Sequence, residues 1–320
     1  MAAEIVAISQ GRARRRRASG SLGDPLFHAL TLLFAVIVLV ILGGVIVTLV
    51  EGAWPALRHF GPGFLVTNVW NPVTERFGAL APIYGTLVTS AIAMLVGIPV
   101  SFGVALFITE LCPKFLRRPL GTMIELLAAI PSIIYGIWGL FVLAPFIQGH
   151  VEPALIATLG EVPGIGALFG GPPLGIGVLT AGFILAIMVL PFIASVMRDV
   201  FETVPPMLKE SAYGLGATTA EVMWRVVLPY TRIGVFGGVL LGLGRALGET
   251  MAVTFVIGNS HHINASILQP GTTISAALAN EFTEAVGDLY QSSLIALGFI
   301  LFLITFLVLA LAKLMLMRLQ

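Results

Sequence analysis

Arg245 and Glu249 stand four residues apart in an otherwise apolar run from Ile233 to Gly258. A guanidinium is planar and always charged, and it grips an oxyanion through two parallel hydrogen bonds. A carboxylate one helical turn on, on the same face, can neutralise it. Two readings follow. In one, an anion competes for Arg245 while Glu249 repels or retunes it, giving a low-affinity waypoint. In the other, the two side chains are an ion pair that fastens one helix to a neighbour. Thr250 and Thr254, again one turn apart, and Asn259 prolong the polar stripe.

Other constellations carry less. His261-His262, with Glu281, Glu284 and Asp288 nearby in sequence, supplies metal-ligand types, but adjacent histidines on an undefined loop set no coordination geometry, and no metal is expected. The only lysines, Lys114, Lys209 and Lys313, follow Pro, Leu and Ala, so none closes a phosphate-cradling Gly-x-x-x-x-Gly-Lys-Ser/Thr loop. No nucleophile elbow, His-Glu-x-x-His helix or catalytic carboxylate pair is in place. The chain is expected to have no catalytic residue and no cofactor of its own, and not to be an enzyme. Cys112 is the only cysteine, which excludes an intrachain disulfide and a cysteine-held metal cluster.

Residues of 58% apolar and 10% charged type, with a mean hydropathy of +1.01, place the chain in a membrane. A hydrocarbon core about 30 Å thick needs roughly 20 apolar residues. Six runs qualify, at about 27–50, 83–109, 120–143, 174–197, 233–258 and 292–317. If the fifth starts at Ile233, Arg245 lies roughly 18 Å into the core, where a charge needs a partner or a wetted cavity. Residues 144–173 are Gly- and Pro-rich and lack Lys and Arg, so they are expected to form a short re-entrant or interfacial piece. Trp54 suits an interfacial belt, and Glu125 a structural role or a partnership with a nearby cation.

Cations give the orientation, because Lys and Arg are kept on the cytoplasmic side of short loops. Of the 17 Lys and Arg, all but Arg58, Arg76 and Arg245 fall in the two tails or in the second and fourth connections. Both termini are therefore predicted cytoplasmic, and the Arg12 to Arg17 run reads as a topology signal rather than a nucleic-acid patch. The first run is too long for a cleaved signal peptide and stays as a span. The expected organisation is a tail over 1–26 and a transmembrane domain over 27–320, with a cytoplasmic loop over 198–232.

That loop is punctuated. Pro205-Pro206 opens a helix through Lys209, Glu210, Ser211 and Ala212, and Gly214 and Gly216 end it. Thr218-Thr-Ala-Glu221 has capping-box spacing, so a second short helix is predicted to run to about Leu228 before Pro229 stops it. Two short helices at a turn make a protruding knob. The lesser alternative is an interfacial amphipathic elbow.

Glu210-Ser-Ala-Tyr-Gly-Leu-Gly216-Ala217, followed after nine residues by Val227-Leu228-Pro229, resembles the cytoplasmic "EAA" loop of importer-type ABC permeases, with Ser211 where Ala is usual. The runs Glu125 to Gly139, Gly244 to Asn259 and Ser275 to Phe282 resemble the PstC-like permeases of phosphate-specific ABC transporters, and the similarity extends from Phe27 to the C-terminus. The resemblance implies an all-α integral membrane protein with six transmembrane helices and the type I ABC importer permease (MetI-like) fold, in a bacterial plasma (inner) membrane. It implies a related second permease, two cytoplasmic ATPase subunits that hold ATP and magnesium, and an extracytoplasmic phosphate-binding protein. Lipid surrounds such a complex, and no nucleic acid takes part. Lys209, Glu210, Ser211, Ala212, Gly216, Ala217, Leu228 and Pro229 would then form the ATPase coupling site, and Arg245, Glu249, Thr250 and Thr254 would line the substrate path. Two rivals stay open: the same architecture carrying sulfate or molybdate, and a self-contained ion-driven carrier or channel.

Overall fold

Four prolines explain most of the difference between the expected spans and the observed ones. A proline inside a helix lacks the N–H that would bond back, and its ring strikes the carbonyl four residues earlier. In this chain the helix widens into a π-turn just before the offending ring. Such turns at Phe107–Leu111, Gly139–Leu143, Ile147–Val151 and Met223–Val227 end two residues before Pro113, Pro145, Pro153 and Pro229, respectively. At the last three the backbone then continues as helix rather than stopping.

The computed structural model describes residues 23–317. Its helices include α1 (Gly23–Phe60), α2 (Leu80–Leu111), α3 (Lys114–Ala128), α4 (Ser132–Leu159), α5 (Val178–Glu202), α6 (Pro206–Gly214), α7 (Thr219–Leu247), α8 (Met251–Thr254), α9 (Ile274–Glu281) and α10 (Asp288–Met317), with single turns at Gly63–Val66 and Gly166–Phe169. Among the described residues there is one isolated β-bridge, Asn71 with Arg76, and no strand. Six helices, α1, α2, α4, α5, α7 and α10, are long and apolar enough to cross a membrane. Of the tail expected over 1–26, residues 1–22 lie outside the described residues, and helix is already present from Gly23.

Three expectations need correction. The third span is not 120–143: Pro131 holds Ile130 out of helix, so Leu120 to Ala128 belong to α3, a separate amphipathic helix, and the span is α4. The segment 144–173 is correspondingly not a re-entrant piece throughout, because α4 carries helix through Pro145 and Pro153 as far as Leu159. The fifth span ends at Leu247 rather than Gly258, and it begins at Thr219, since the second knob helix runs through Pro229 into it.

The chain divides between Glu51 and Gly52 into two compact units. The first contains α1 as far as Glu51, apolar on every face. In the second, α5 is the pillar, with Ile184, Leu185, Val189, Ile193 and Met197 fully buried. With no hydrophobic force between helices in lipid, close approach through small residues supplies the packing. On α7 the glycines at 234, 238 and 242 face α5, where a Cβ would meet Val200, Val196 and Ile193 at 2.6, 3.0 and 2.5 Å. A second core, at the end of the bundle where α2 begins, joins Ala53, Ala56, Phe64 and Phe77 to Ile274, Leu294 and Leu297. There the Ser292 hydroxyl donates to Gly52 O at 2.8 Å and accepts from Ala56 N at 2.9 Å.

Candidate functional site

Arg245 occupies the last turn of α7, where the negative end of the helix dipole favours a cation. Its guanidinium carbon lies 5.9 Å from the ring centre of Phe192 on α5, a cation–π contact worth about 0.5–1 kcal/mol when exposed. None of the ion pairs among the described residues involves it. The pairing with Glu249 expected from four-residue spacing is absent because the helix between them ends at Leu247. Glu249 instead turns forward, and its Oε1 accepts the backbone N–H of Ala252 at 3.1 Å, capping α8. Among the described residues the two side chains therefore do not pair with each other.

The hydroxyls expected to continue the stripe serve the same helix break. Thr254 Oγ1 donates to Thr250 O at 2.8 Å, Thr250 Oγ1 reaches Gly248 O at 3.5 Å, and Asn259 Nδ2 donates to Thr254 O at 3.4 Å. α4 packs close to the break because Gly136 has no side chain, for a Cβ there would lie 2.8 Å from Phe255 and 2.9 Å from Met251 O. Tyr135, next to that glycine, donates its hydroxyl to Leu127 O at 2.9 Å. The result is an exposed guanidinium with no carboxylate partner among the described residues, at an interruption of a membrane helix. Such interruptions are tolerated where they line protein or water rather than lipid.

The knob is built as its sequence punctuation required, except that Pro229 does not stop its second helix. Pro205 precedes α6 in extended geometry and Pro206 takes the first turn. At the other end Gly216 adopts φ +87°, Ala217 N bonds Ala212 O at 3.1 Å and Gly216 N bonds Tyr213 O at 2.9 Å, which is a complete Schellman motif. Thr218 and Glu221 make the reciprocal capping box. Glu210 and Ser211 are exposed, with Ser211 Oγ donating to Met207 O at 2.7 Å, and Leu215 at the tip is 90% exposed. Ala212, Gly216 and Ala217 line a cleft of about 340 Å³ with Leu215, Glu221 and Arg225. Leu228 and Pro229 lie beyond the π-turn, in the first turn of the helix that leads to Arg245. Lys209 differs from its neighbours. It faces inward, and its Nζ lies 2.5 Å from Glu110 Oε1 on α2.

The family model described as "Binding-protein-dependent transport system inner membrane component" matches residues 97–320, which include the knob and the helix break. The chain belongs to this family. Among its curated relatives are the phosphate transport system permease protein PstC of Mesorhizobium japonicum, 65% identical over 94% of this chain and 92% of that one, and its counterpart from Pasteurella multocida, 56% identical over 97% and 96%. Among solved structures, a chain of a bacterial alginate ABC transporter aligns with a TM-score of 0.60 at 19% identity, covering 92% of this chain and 95% of its own. A chain of the MetNI methionine ABC transporter aligns with 0.53 at 17%, covering 81% and 97%. At these identities the structural likeness speaks for fold alone, and the fold is that of a MetI-like type I permease. The chain is therefore a multi-pass membrane protein, and its curated relatives are transport permease subunits.

Sequence reasoning missed two clusters in this family member. One is Glu110 with Lys209, 99 residues apart. The other is centred on Glu281, which accepts hydrogen bonds from Trp70 Nε1 at 2.6 Å and Tyr290 Oη at 2.7 Å and meets His261 Nε2 at 2.6 Å. Trp70 stacks flat on His261, ring centres 4.9 Å apart. The histidine pair thus serves two places, since His262 lies beside Tyr84 and Asn264 instead. Among the described residues no three His, Cys, Asp or Glu side chains come together in metal-holding geometry.

Burial pushes the Glu281 carboxyl upward, but the bonds from His261, Tyr290 and Trp70 outweigh it and hold the pKa below the ordinary value. A depressed carboxyl contributes stability above its unfolded pKa of about 4.3 and loses it as pH falls through the folded value. The melting temperature of the detergent-solubilised chain is expected to drop on acidification below about pH 4.3, and to drop less steeply in Glu281→Gln. Parallel profiles for the two proteins would refute this.

Proposed function

We propose that the chain is the membrane permease component of an ATP-driven inorganic phosphate importer in a bacterial plasma membrane, with both termini in the cytoplasm. The observation that carries the reading is the 65% identity, over nearly all of both chains, to a phosphate transport system permease. The site supports it chemically. Arg245 presents an unpaired fork to an oxyanion, and the carboxylate that could have neutralised it is committed to α8. The Thr250 and Thr254 hydroxyls are donated to Gly248 O and Thr250 O and add no charge, so an anion held here meets one cation and leaves readily.

In this reading the α6 knob seats on a cytoplasmic ATPase, Leu215 leading and Glu210 and Ser211 at its side. ATP and magnesium are bound by that partner. Two ATPase copies, a related second permease and an extracytoplasmic phosphate-binding protein complete the complex. Closure of the ATPases moves the knob, α7 transmits the motion directly through Pro229 to Arg245, and the path opens outward; hydrolysis resets it.

The test is uptake of labelled phosphate and sulfate into vesicles carrying all components, with ATP on one face or the other. Phosphate uptake that needs cytoplasmic-face ATP and every component supports the proposal. Sulfate uptake instead keeps the architecture and overturns the cargo, and ATP-independent phosphate flux from this chain alone overturns the importer reading.

A further inference from the structure

The Glu110–Lys209 pair joins the knob to a span with which it has no direct chain connection. α6 is tethered covalently to α5 and, through the Schellman turn, to α7. α2 touches the knob only by side chains. Glu110 lies in the π-turn that ends α2, where the widened register sets its direction, and its side chain is 8% exposed against 18% for Lys209. About two turns earlier in the same helix, Phe102 lies 5.8 Å from Trp224 of the knob and 5.7 Å, edge to face, from Phe201 at the end of α5. Val204, Val222 and Met223 are buried in the same core as Ala105, with Ala212 and Ala217 packed against it.

A nearly buried pair gives little net stability, because desolvation offsets attraction, yet breaking it by removing one partner is costly. Its strength is therefore directional: it resists separation of α2 from α6. The aromatic contact adds its own attraction between the same two elements.

We infer that Glu110 and Lys209 form a strut carrying movement of the α6 knob into the second span, so that this pair sets how much substrate moves per ATP hydrolysed. Lys209 then acts inside the permease as a positioning residue, not on the ATPase surface. The inference rests on the reading of α6 as the ATPase-docking knob.

The experiment uses the complete transporter in vesicles and reads three quantities: ATPase retained, ATP hydrolysed, and phosphate taken up. Glu110→Gln and Lys209→Met are expected to keep the ATPase bound and hydrolysing while phosphate moved per ATP falls about tenfold, the usual scale of a coupling energy. The charge swap Glu110→Lys with Lys209→Glu is expected to recover most of the ratio. An unchanged ratio in both single variants overturns the strut. Should a single variant fail to assemble, Glu110→Asp is read in its place: it keeps the charge and shortens the arm by one methylene, so a wild-type ratio there also overturns the strut. Leu215→Glu separates the two levels. If it leaves the ATPase docked and transport intact, the docking reading itself fails; if it releases the ATPase while Glu110→Gln keeps a normal ratio, the strut alone fails.

Discussion

Arg245→Gln is expected to reduce phosphate uptake by about 100-fold while the complex assembles in normal amount, because two charge-assisted hydrogen bonds to an oxyanion are lost together and each is worth about 1.5–3 kcal/mol. Assembly is spared for a structural reason. Among the described residues Arg245 has no carboxylate partner, so its removal strands no opposite charge there, and its contact with Phe192 is small. Glutamine keeps much of the stem and a hydrogen-bonding tip, which limits the packing loss. Arg245→Lys keeps the charge but not the planar fork, and should fall between the two. The measurement is uptake normalised to purified complex. Loss of complex in Arg245→Gln, in proportion to lost uptake, would show that the arginine holds the bundle rather than the anion.

Gly216→Val is expected to uncouple the transporter, lowering ATPase retention and uptake together by at least about tenfold. The reason is backbone conformation, not crowding: Gly216 sits at φ +87° with open space where a Cβ would point. A β-branched residue held at that φ costs about 1–3 kcal/mol, and the α6 terminus can relieve it by giving up its Schellman bonds, which turns Leu215 away from its bearing. Gly216→Asn tests the account, since asparagine accepts left-handed geometry and should keep most coupling. Equal loss in the Asn and Val variants, measured by ATPase co-purification, would show that the position needs smallness against a partner rather than a positive φ.

What could be read in advance divides by the range of the signal. Pro205-Pro206, Gly216 and Thr218 with Glu221 act over one to four residues, and each does in the structure what its chemistry implied. Glu125 finds its cation too, with Oε1 2.6 Å from an Arg198 nitrogen. The six apolar stretches were legible as a number, because bilayer thickness imposes a length. Their edges were less so. Pro131 interrupts a helix, whereas Pro145, Pro153 and Pro229 do not, and the difference lies in a backbone register that no residue type announces. The Arg245–Glu249 pairing failed for the same reason, since i to i+4 geometry holds only while the helix lasts, and Gly248 ends it. Glu110 and Glu281 were invisible because their partners come from distant parts of the chain.

The π-turn at Met223–Val227 has one more consequence. A π-turn holds one residue more than the same length of α-helix, so it sets the angular phase between whatever precedes it and whatever follows. Here the knob precedes it and Arg245 follows. If the turn tightened to α-helix with all its residues kept, the guanidinium would rotate about 100° around the helix axis relative to the knob and move about 1.5 Å further from it. Pro229 guards that phase, since its ring clashes with the carbonyl that a tightened α-turn would place against it, at about 3 kcal/mol. The junction therefore behaves as a keyed shaft: the knob can drive the far end of α7, but the two cannot slip out of step.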